Sequence, residues 1–180
     1  MKIKLATTKY EELNNIQSKL MQHIEKTPGV RYNELARLVS LANGVLTYHL
    51  SLLEKANHIT VDRNEKSRST RYYAINIPIE ETKIVGCIRS DIVRRIIMFI
   101  LDHDLCTFYE IVDHTSKAPS TISWHLRRLK DAGIITSKQY DKYHFYNITN
   151  REIVSEVLYK YKETFADRVI NNYAQMIDEL

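Results

Sequence analysis

Shifted by 76 residues, the 180-residue chain aligns with itself. Glu34–Thr60 then overlies Glu110–Thr136, and nine of those 27 positions are identical: Glu34/Glu110, Ser40/Ser116, Ala42/Ala118, His49/His125, Leu50/Leu126, Leu53/Leu129, Ala56/Ala132, Ile59/Ile135 and Thr60/Thr136. Leu35/Ile111, Leu46/Ile122, Thr47/Ser123 and Tyr48/Trp124 match in kind. The matches gather on apolar and helix-end positions instead of scattering, which marks a repeated structural unit. Further on, Tyr72-Tyr73-Ala74-Ile75 returns as Phe145-Tyr146-Asn147-Ile148 at an offset of 73, which implies a second copy three residues shorter before its last strand. Two copies of one small domain are expected.

Each copy has the same grammar. Leu13, Ile16, Leu20 and Ile24 recur at helical spacing, with Thr8 and Glu11 as a capping box. Pro28-Gly29 ends that helix, Asn33–Val39 forms a short one, and Leu46, His49, Leu50 and Leu53 mark the inner face of the next. Alternation predicts strands over His58–Arg63 and Thr70–Ile75, joined by the polar loop Asn64–Ser69. In the second copy Ile92–Leu101 supplies the first helix, Thr107 and Glu110 box the next, and Pro119 opens the third. Ala132-Gly133 closes it, before strands over Ile134–Lys138 and His144–Ile148. Asn57 stands where the second copy has Gly133, and Asn also tolerates the left-handed helix terminus.

Asn76–Ser90 links the copies, marked by Pro78 and Glu80-Glu81, with Lys83–Ile88 compatible with a short helix. Thr149 with Glu152 reads as a third capping box. The helix it opens runs toward the chain end along Val154, Leu158, Tyr161, Phe165, Val169, Tyr173, Met176 and Leu180. The expected domains are 1–79, 80–149 and 150–180, the last a helix for packing or dimerisation. The fold class is mainly α with small β-hairpin wings.

Composition removes whole classes. Four glycines and three prolines, against about 13 and about 9 for an average chain of this length, leave no G-x-G-x-x-G and no P-loop. Cys87 and Cys106 form no disulfide framework, and a reducing cytoplasm is expected. The N-terminus has no signal-peptide core, and the apolar run Ile96–Leu101 is far too short to span a bilayer. No H-E-x-x-H, no G-x-S-x-G and no nucleophile with a recognisable base is present, so neither catalysis nor a cofactor is expected.

The order helix, helix, turn, helix and hairpin is that of a winged helix-turn-helix. Glu34-Leu35-Ala36 through Ala42-Asn43-Gly44-Val45-Leu46-Thr47-Tyr48-His49-Leu50 and Leu53 resembles the E-L-A…S-x-x-T-V-S-x-H-L-x-x-L signature of ArsR/MarR-type regulators. Ala118-Pro119-Ser120-Thr121-Ile122-Ser123-Trp124-His125-Leu126 with Leu129 is somewhat closer to it. Both copies depart from it in placing Ala where relatives use a Ser cap. The whole chain resembles archaeal transcriptional regulators with two such domains in tandem. That resemblance implies a cytoplasmic, sequence-specific regulator of double-stranded DNA.

With the leucines inward, the outer face of the first recognition helix carries Asn43, Thr47, Tyr48 and Ser51. The second carries Ser120, Ser123, Trp124 and Arg127, flanked by Thr121 and Arg128. Hydroxyls, Asn and Arg suit a major groove, where Arg pairs with guanine and Asn with adenine. Arg127 is expected to read a base. The first wing holds Arg63, Lys66, Arg68 and Arg71, the second Lys138 and Lys142, both expected at phosphates or the minor groove. Residues 1–79 carry twelve basic and seven acidic side chains, net +5; 80–149 are net +1 and 150–180 net −2. DNA affinity is therefore expected to lean on the first half.

Two other readings compete. A docking module of the transcription machinery would use Tyr48 and Trp124 as an apolar patch. A metal- or ligand-responsive sensor of the ArsR type would draw on Asp102, His103, Asp104, Cys106, Asp113 and His114. These lack a close Cys/His pair at zinc spacing, and capping or solvation accounts for them without a metal. Two arrangements are open: the two domains of one chain act as a pseudo-dimer reading two half-sites, or the terminal helices pair two chains as a homodimer.

Overall fold

Apolar spacing and a small set of helix ends account for the architecture. In the computed structural model, which describes residues 13–64 and 69–165, α1 (Asn15–Lys26) buries Leu20, Met21 and Ile24. The first unit, Met1–Pro78, continues through β1 (Val30–Arg31), α2 (Tyr32–Val39), α3 (Asn43–Lys55), β2 (Ile59–Asn64) and β3 (Ser69–Ala74). The second, Ile79–Leu180, holds α4 (Ile79–Ile88), α5 (Asp91–His103), β4 (Cys106–Thr107), α6 (Phe108–Thr115), α7 (Pro119–Asp131), β5 (Ile135–Tyr140), β6 (Tyr143–Ile148) and α8 (Arg151–Lys160). Each unit pairs its strands antiparallel, in the order β1-β3-β2 and β4-β6-β5.

The positions that the repeat preserves have identifiable jobs. Glu34 and Glu110 each accept the backbone N–H three residues back, from Arg31 at 3.4 Å and Thr107 at 2.7 Å. Ser40 and Ser116 both end their helices in the left-handed conformation, at φ 50° and 52°. Ala42 and Ala118 precede α3 and α7 without any side-chain cap. Leu46, Leu50 and Leu53 in one copy and Ile122, Leu126 and Leu129 in the other are buried. Each such side chain contributes about 1.5–3 kcal/mol when wholly removed from water. Asn57 and Gly133 take positive φ of 55° and 73°, as the alignment predicts. Gly29 is needed twice over: its φ is +70°, and a Cβ there would lie 3.0 Å from the buried Tyr73 ring.

Strand register corrects the alignment of the wings. Val30 pairs with Tyr72, and its counterpart Cys106 pairs with Tyr146; Ile59 pairs with Ala74, and Ile135 with Ile148. The final strands therefore correspond at an offset of 74, not 73, and the second wing is two residues shorter, not three. A one-residue slip exchanges the two faces of a strand, so the register decides which wing residues face the helix.

Three helix boundaries also differ. The helix bearing Ile16, Leu20 and Ile24 opens at a capping box of Asn14 and Gln17, while Thr8 and Glu11 lie outside the described residues. α8 is capped by Asn150, whose Oδ1 accepts from Ile153 N at 3.1 Å. The Thr149–Glu152 box does not form, because the Thr149 N–H that Glu152 would accept is held by Ile134 O at 2.9 Å as the last rung beside the wing. α8 stops at Lys160, and Tyr161 (φ −106°, ψ 8°) interrupts the run before residues 162–165 turn helical again. Val154, Val157, Tyr161 and Phe165 are buried, with Arg94 over the Phe165 ring at 4.9 Å and Lys160 paired to Glu81 at 2.8 Å. Val169, Tyr173, Met176 and Leu180 lie outside the described residues.

Candidate nucleic-acid interface

α3 and α7 are held alike by their leucine and histidine faces, and that leaves equivalent faces outward. On α3, Asn43, Thr47 and Tyr48 are exposed and Ser51 is half-buried. Tyr32 fastens this face from behind: its hydroxyl donates to Asn43 O at 2.9 Å and lies 3.0 Å from Thr47 Oγ1. Tyr32 escaped the sequence reading because only the fold brings α2 to the start of α3.

On α7, Ser120, Thr121, Ser123, Trp124 and Arg127 are exposed. Arg128 is half-buried, with its guanidinium stacked on the Trp124 ring at 4.6 Å. The exposed surface of α7 thus has two sides. Trp124 and Arg128 share one, at i and i+4. Ser123, Arg127 and Lys130 form the other, at i, i+4 and i+7, against the wing residues Ser137, His144 and Tyr146. Lys130, Ser137, His144 and Tyr146 were not among the interface residues that the sequence led us to expect. Helical spacing from Ser123 was the available signal for Lys130, and strand register for the other three.

The buried counterparts repeat as well. His49 meets Tyr48 edge-on at 5.2 Å, and His125 meets Trp124 edge-on at 4.7 Å. Both histidine Nδ1 atoms are buried with no hydrogen-bond partner among the described residues. Burial, assisted by the neighbouring Arg128 charge, holds the His125 imidazole below the ordinary histidine range.

The wings divide the expected basic residues. Arg63 is bound by both ends to Glu54 on α3, Nη1 to Oε1 at 2.7 Å and Nη2 to Oε2 at 2.6 Å. This hydrogen-bonded pairing holds the Glu54 carboxyl below its usual range and raises Arg63. Arg71 departs from the expectation of a wing contact: it is buried, and its Nη1 donates to Gly29 O at 2.8 Å. Its place in β3, opposite Asp62 on one side and Arg31 on the other, puts it inside the sheet and away from the hairpin tip. Lys66 and Arg68 lie outside the described residues. Lys138 and Lys142 are exposed, with Lys142 Nζ 5.7 Å from the Tyr143 ring centre.

The acid and histidine cluster considered for a metal is spread apart. His103 and His114 flank the two faces of Phe99 at 4.1 and 4.3 Å, and Asp104 pairs with Arg151 at 2.8 Å. Burial, assisted by the nearby Glu110 charge, pushes the Cys106 thiol up to about 11. Among the described residues no group of three or more His, Cys, Asp or Glu is placed to share a metal ion. Nor is any described helix long and apolar enough to cross a membrane.

A helical core whose third main helix is followed by a two-stranded wing is a winged helix-turn-helix, and the chain carries it twice. The class that the fold defines is the winged helix-turn-helix protein. Residues 91–137 match the family model of the bacterial regulatory protein, arsR family, and residues 14–84 match one described as an N-terminal HTH domain. No curated protein matches the chain. Similar solved structures include HlyU from Vibrio cholerae, at 16% identity and TM-score 0.42 over 46% of this chain and 89% of that one. The transcriptional repressor PagR of Bacillus anthracis aligns at 14% identity and TM-score 0.40 over 43% of this chain and 88% of its own. A homodimeric winged helix-turn-helix DNA-binding domain from Mycobacterium bovis aligns at 14% and 0.41 over 52% and 83%.

Proposed function

We propose that this protein is a sequence-specific regulator of double-stranded DNA in which α3 and α7 both enter major grooves. The observation that carries this reading is the outward presentation of equivalent hydroxyl-, amide- and aromatic-bearing faces by two helices at matching positions of the repeat. Asn43, Thr47, Tyr48 and Ser51 then meet base edges from the first unit, and Ser120, Thr121, Trp124 and Arg128 from the second. The wing residues Arg63, Lys66, Arg68, Lys138 and Lys142 add backbone contacts. The arsR-family match over residues 91–137 supports regulation as the use of that binding.

The finer arrangement is part of the same proposal. The domain division at 79 and 149 assigns one half-site to each unit, and residues beyond 165 join two copies of the chain. Val154, Val157, Tyr161 and Phe165 are already covered, so the apolar positions Val169, Tyr173 and Met176 are left for that contact.

Selection of duplexes from a random pool, followed by affinity measurement from about 50 to about 200 mM salt, tests the function. An enriched motif and a steep loss of affinity with salt are expected. Recovery of no motif, or an affinity indifferent to salt, overturns the reading. A chain that ignores DNA yet binds a protein partner lost on Tyr48→Ala or Trp124→Ala would favour the docking module, since both rings are at least half exposed, at 60% and 50%.

A further inference from the structure

Between α7 and its wing lies a groove of about 320 Å³, lined by Ser123, Arg127, Lys130, Ser137, His144 and Tyr146. Its construction follows from two periodicities. Ser123, Arg127 and Lys130 lie along one helical stripe; Ser137 stands directly opposite Tyr146 across the ladder, and His144 is two residues from Tyr146 on the same strand face. Lys130 Nζ donates to Ser137 Oγ at 2.9 Å, so helix and wing are already joined at this point. A guanidinium, an ammonium, an imidazole and three hydroxyls therefore converge on one small open space. Asp131 also lines it and offsets one of the two permanent positive charges.

The first unit supplies an internal comparison. With the helices aligned at 76 and the last strands at 74, Arg127 corresponds to Ser51, Lys130 to Glu54, Ser137 to Val61 and His144 to Thr70. Each basic residue of the groove is replaced, and the ammonium by a carboxylate. That carboxylate is in turn closed off by both nitrogens of Arg63. The repeat preserves the scaffold and diverges in charge at this spot.

We propose that the groove of the second unit is a phosphate seat, and that its occupant is a phosphodiester of the DNA backbone. The proposal rests on the reading of α7 as a DNA-entering helix. Arg127 and Lys130 clamp the anionic oxygens, and the Ser137 hydroxyl and His144 supply further donors. Among the described residues of the first unit, Ser51, Glu54, Val61 and Thr70 stand in the equivalent places and supply no cation. Arg127 accordingly moves from base reading to backbone recognition, and the side of α7 holding Trp124 and Arg128 carries the base contacts. The electrostatic share of affinity leans on the second unit, although the first is the more basic in sequence.

The test uses the full chain in two arms. In the first, duplex affinity is followed against salt for the wild type, for Lys130→Glu, which copies the first unit, and for Arg127→Ala, with folding checked by circular dichroism. The log–log slope is expected to shrink by about one to two for Lys130→Glu and about one for Arg127→Ala, with the selected base preference unchanged. In the second, inorganic phosphate is titrated while the amide signals of Ser137 and His144 are followed by NMR. Weak, unsaturated shifts there, together with the loss of slope, support a DNA phosphate. Saturable shifts abolished by Lys130→Glu, with an unchanged slope, overturn the DNA source in favour of a free phosphate. A change of preference at one base position in Arg127→Ala overturns the backbone role. Neither response in either arm overturns the seat altogether. A wild-type chain that binds no duplex defeats the DNA reading itself, and the phosphate arm then decides the seat alone.

Discussion

Glu54 on α3 and Arg63 on the first wing meet through two parallel hydrogen bonds of 2.7 and 2.6 Å, so this wing cation is already engaged before any ligand arrives. The side chains are 35% and 59% exposed, which keeps the pair weak in stability terms, about 0.2–1 kcal/mol. Its larger effect is competitive. Glu54→Gln should free Arg63 for phosphate, tighten duplex binding and steepen the salt slope by up to about one. An unchanged slope would place Arg63 away from DNA. The depressed Glu54 pKa also implies stability that is present above the usual carboxylate range and lost as pH falls through its folded value. Urea unfolding of wild type and Glu54→Gln at pH 7 and in acid should converge at the acid end.

Arg71 has a structural task. Arg71→Met keeps the aliphatic stem but strips the donor from the buried Gly29 carbonyl, at a cost of about 1–3 kcal/mol in denaturant unfolding. The salt slope of DNA binding should not move. A shallower slope with unchanged stability would restore Arg71 to the DNA contacts.

Trp124 is the chain's single tryptophan and therefore an unambiguous fluorescent reporter of α7. Duplex addition should change its emission saturably, with the same midpoint as binding measured by an independent method. Arg128→Ala should shift the emission of the free protein, since the guanidinium lies 4.6 Å from the ring centre. Emission that ignores saturating DNA would remove α7 from the interface.

His125 gives a signed pH dependence. Because its folded pKa is lowered by burial, the unfolded chain binds more protons in the window below about 6.5, and stability declines as pH falls through it. The unfolding free energy should therefore drop between about pH 7 and pH 5, and His125→Gln should flatten part of that decline. An equal slope in the variant would mean that the imidazole protonates as readily folded as unfolded.

At the start of α8, Asn150→Ala should cost about 0.5–2 kcal/mol, as loss of an N-cap does, and Thr149→Ala distinctly less. The reverse order would return the cap to Thr149.

The scaffold was legible wherever local chemistry decides it. Leu46, Leu50 and Leu53 announce their burial by spacing, Glu110 its cap by its distance from Thr107, and Asn57 its left-handed turn by alignment with Gly133. What stayed hidden depends on contacts between residues far apart in sequence. Arg71 reads as one more charge in a basic wing until β3 is seen between β1 and β2. The Glu54–Arg63 pair joins a helix to a strand across nine positions. The identities Tyr73/Tyr146 suggested a register that backbone pairing shifts by one residue, and with it the strand face turned toward α7. Thr149 looked like a cap because nothing local shows that its N–H belongs to Ile134.

That last bond has a mechanical meaning. Thr149 closes the ladder beside the wing, and the very next residue caps α8, so strand and helix meet with no slack between them. α8 is pinned in turn by Val154 and Val157 in the core and by Arg151 on Asp104. Wing and α8 are therefore joined directly through Thr149–Asn150, without an intervening loop. Whatever engages α8 acts one residue away from the hairpin beside α7.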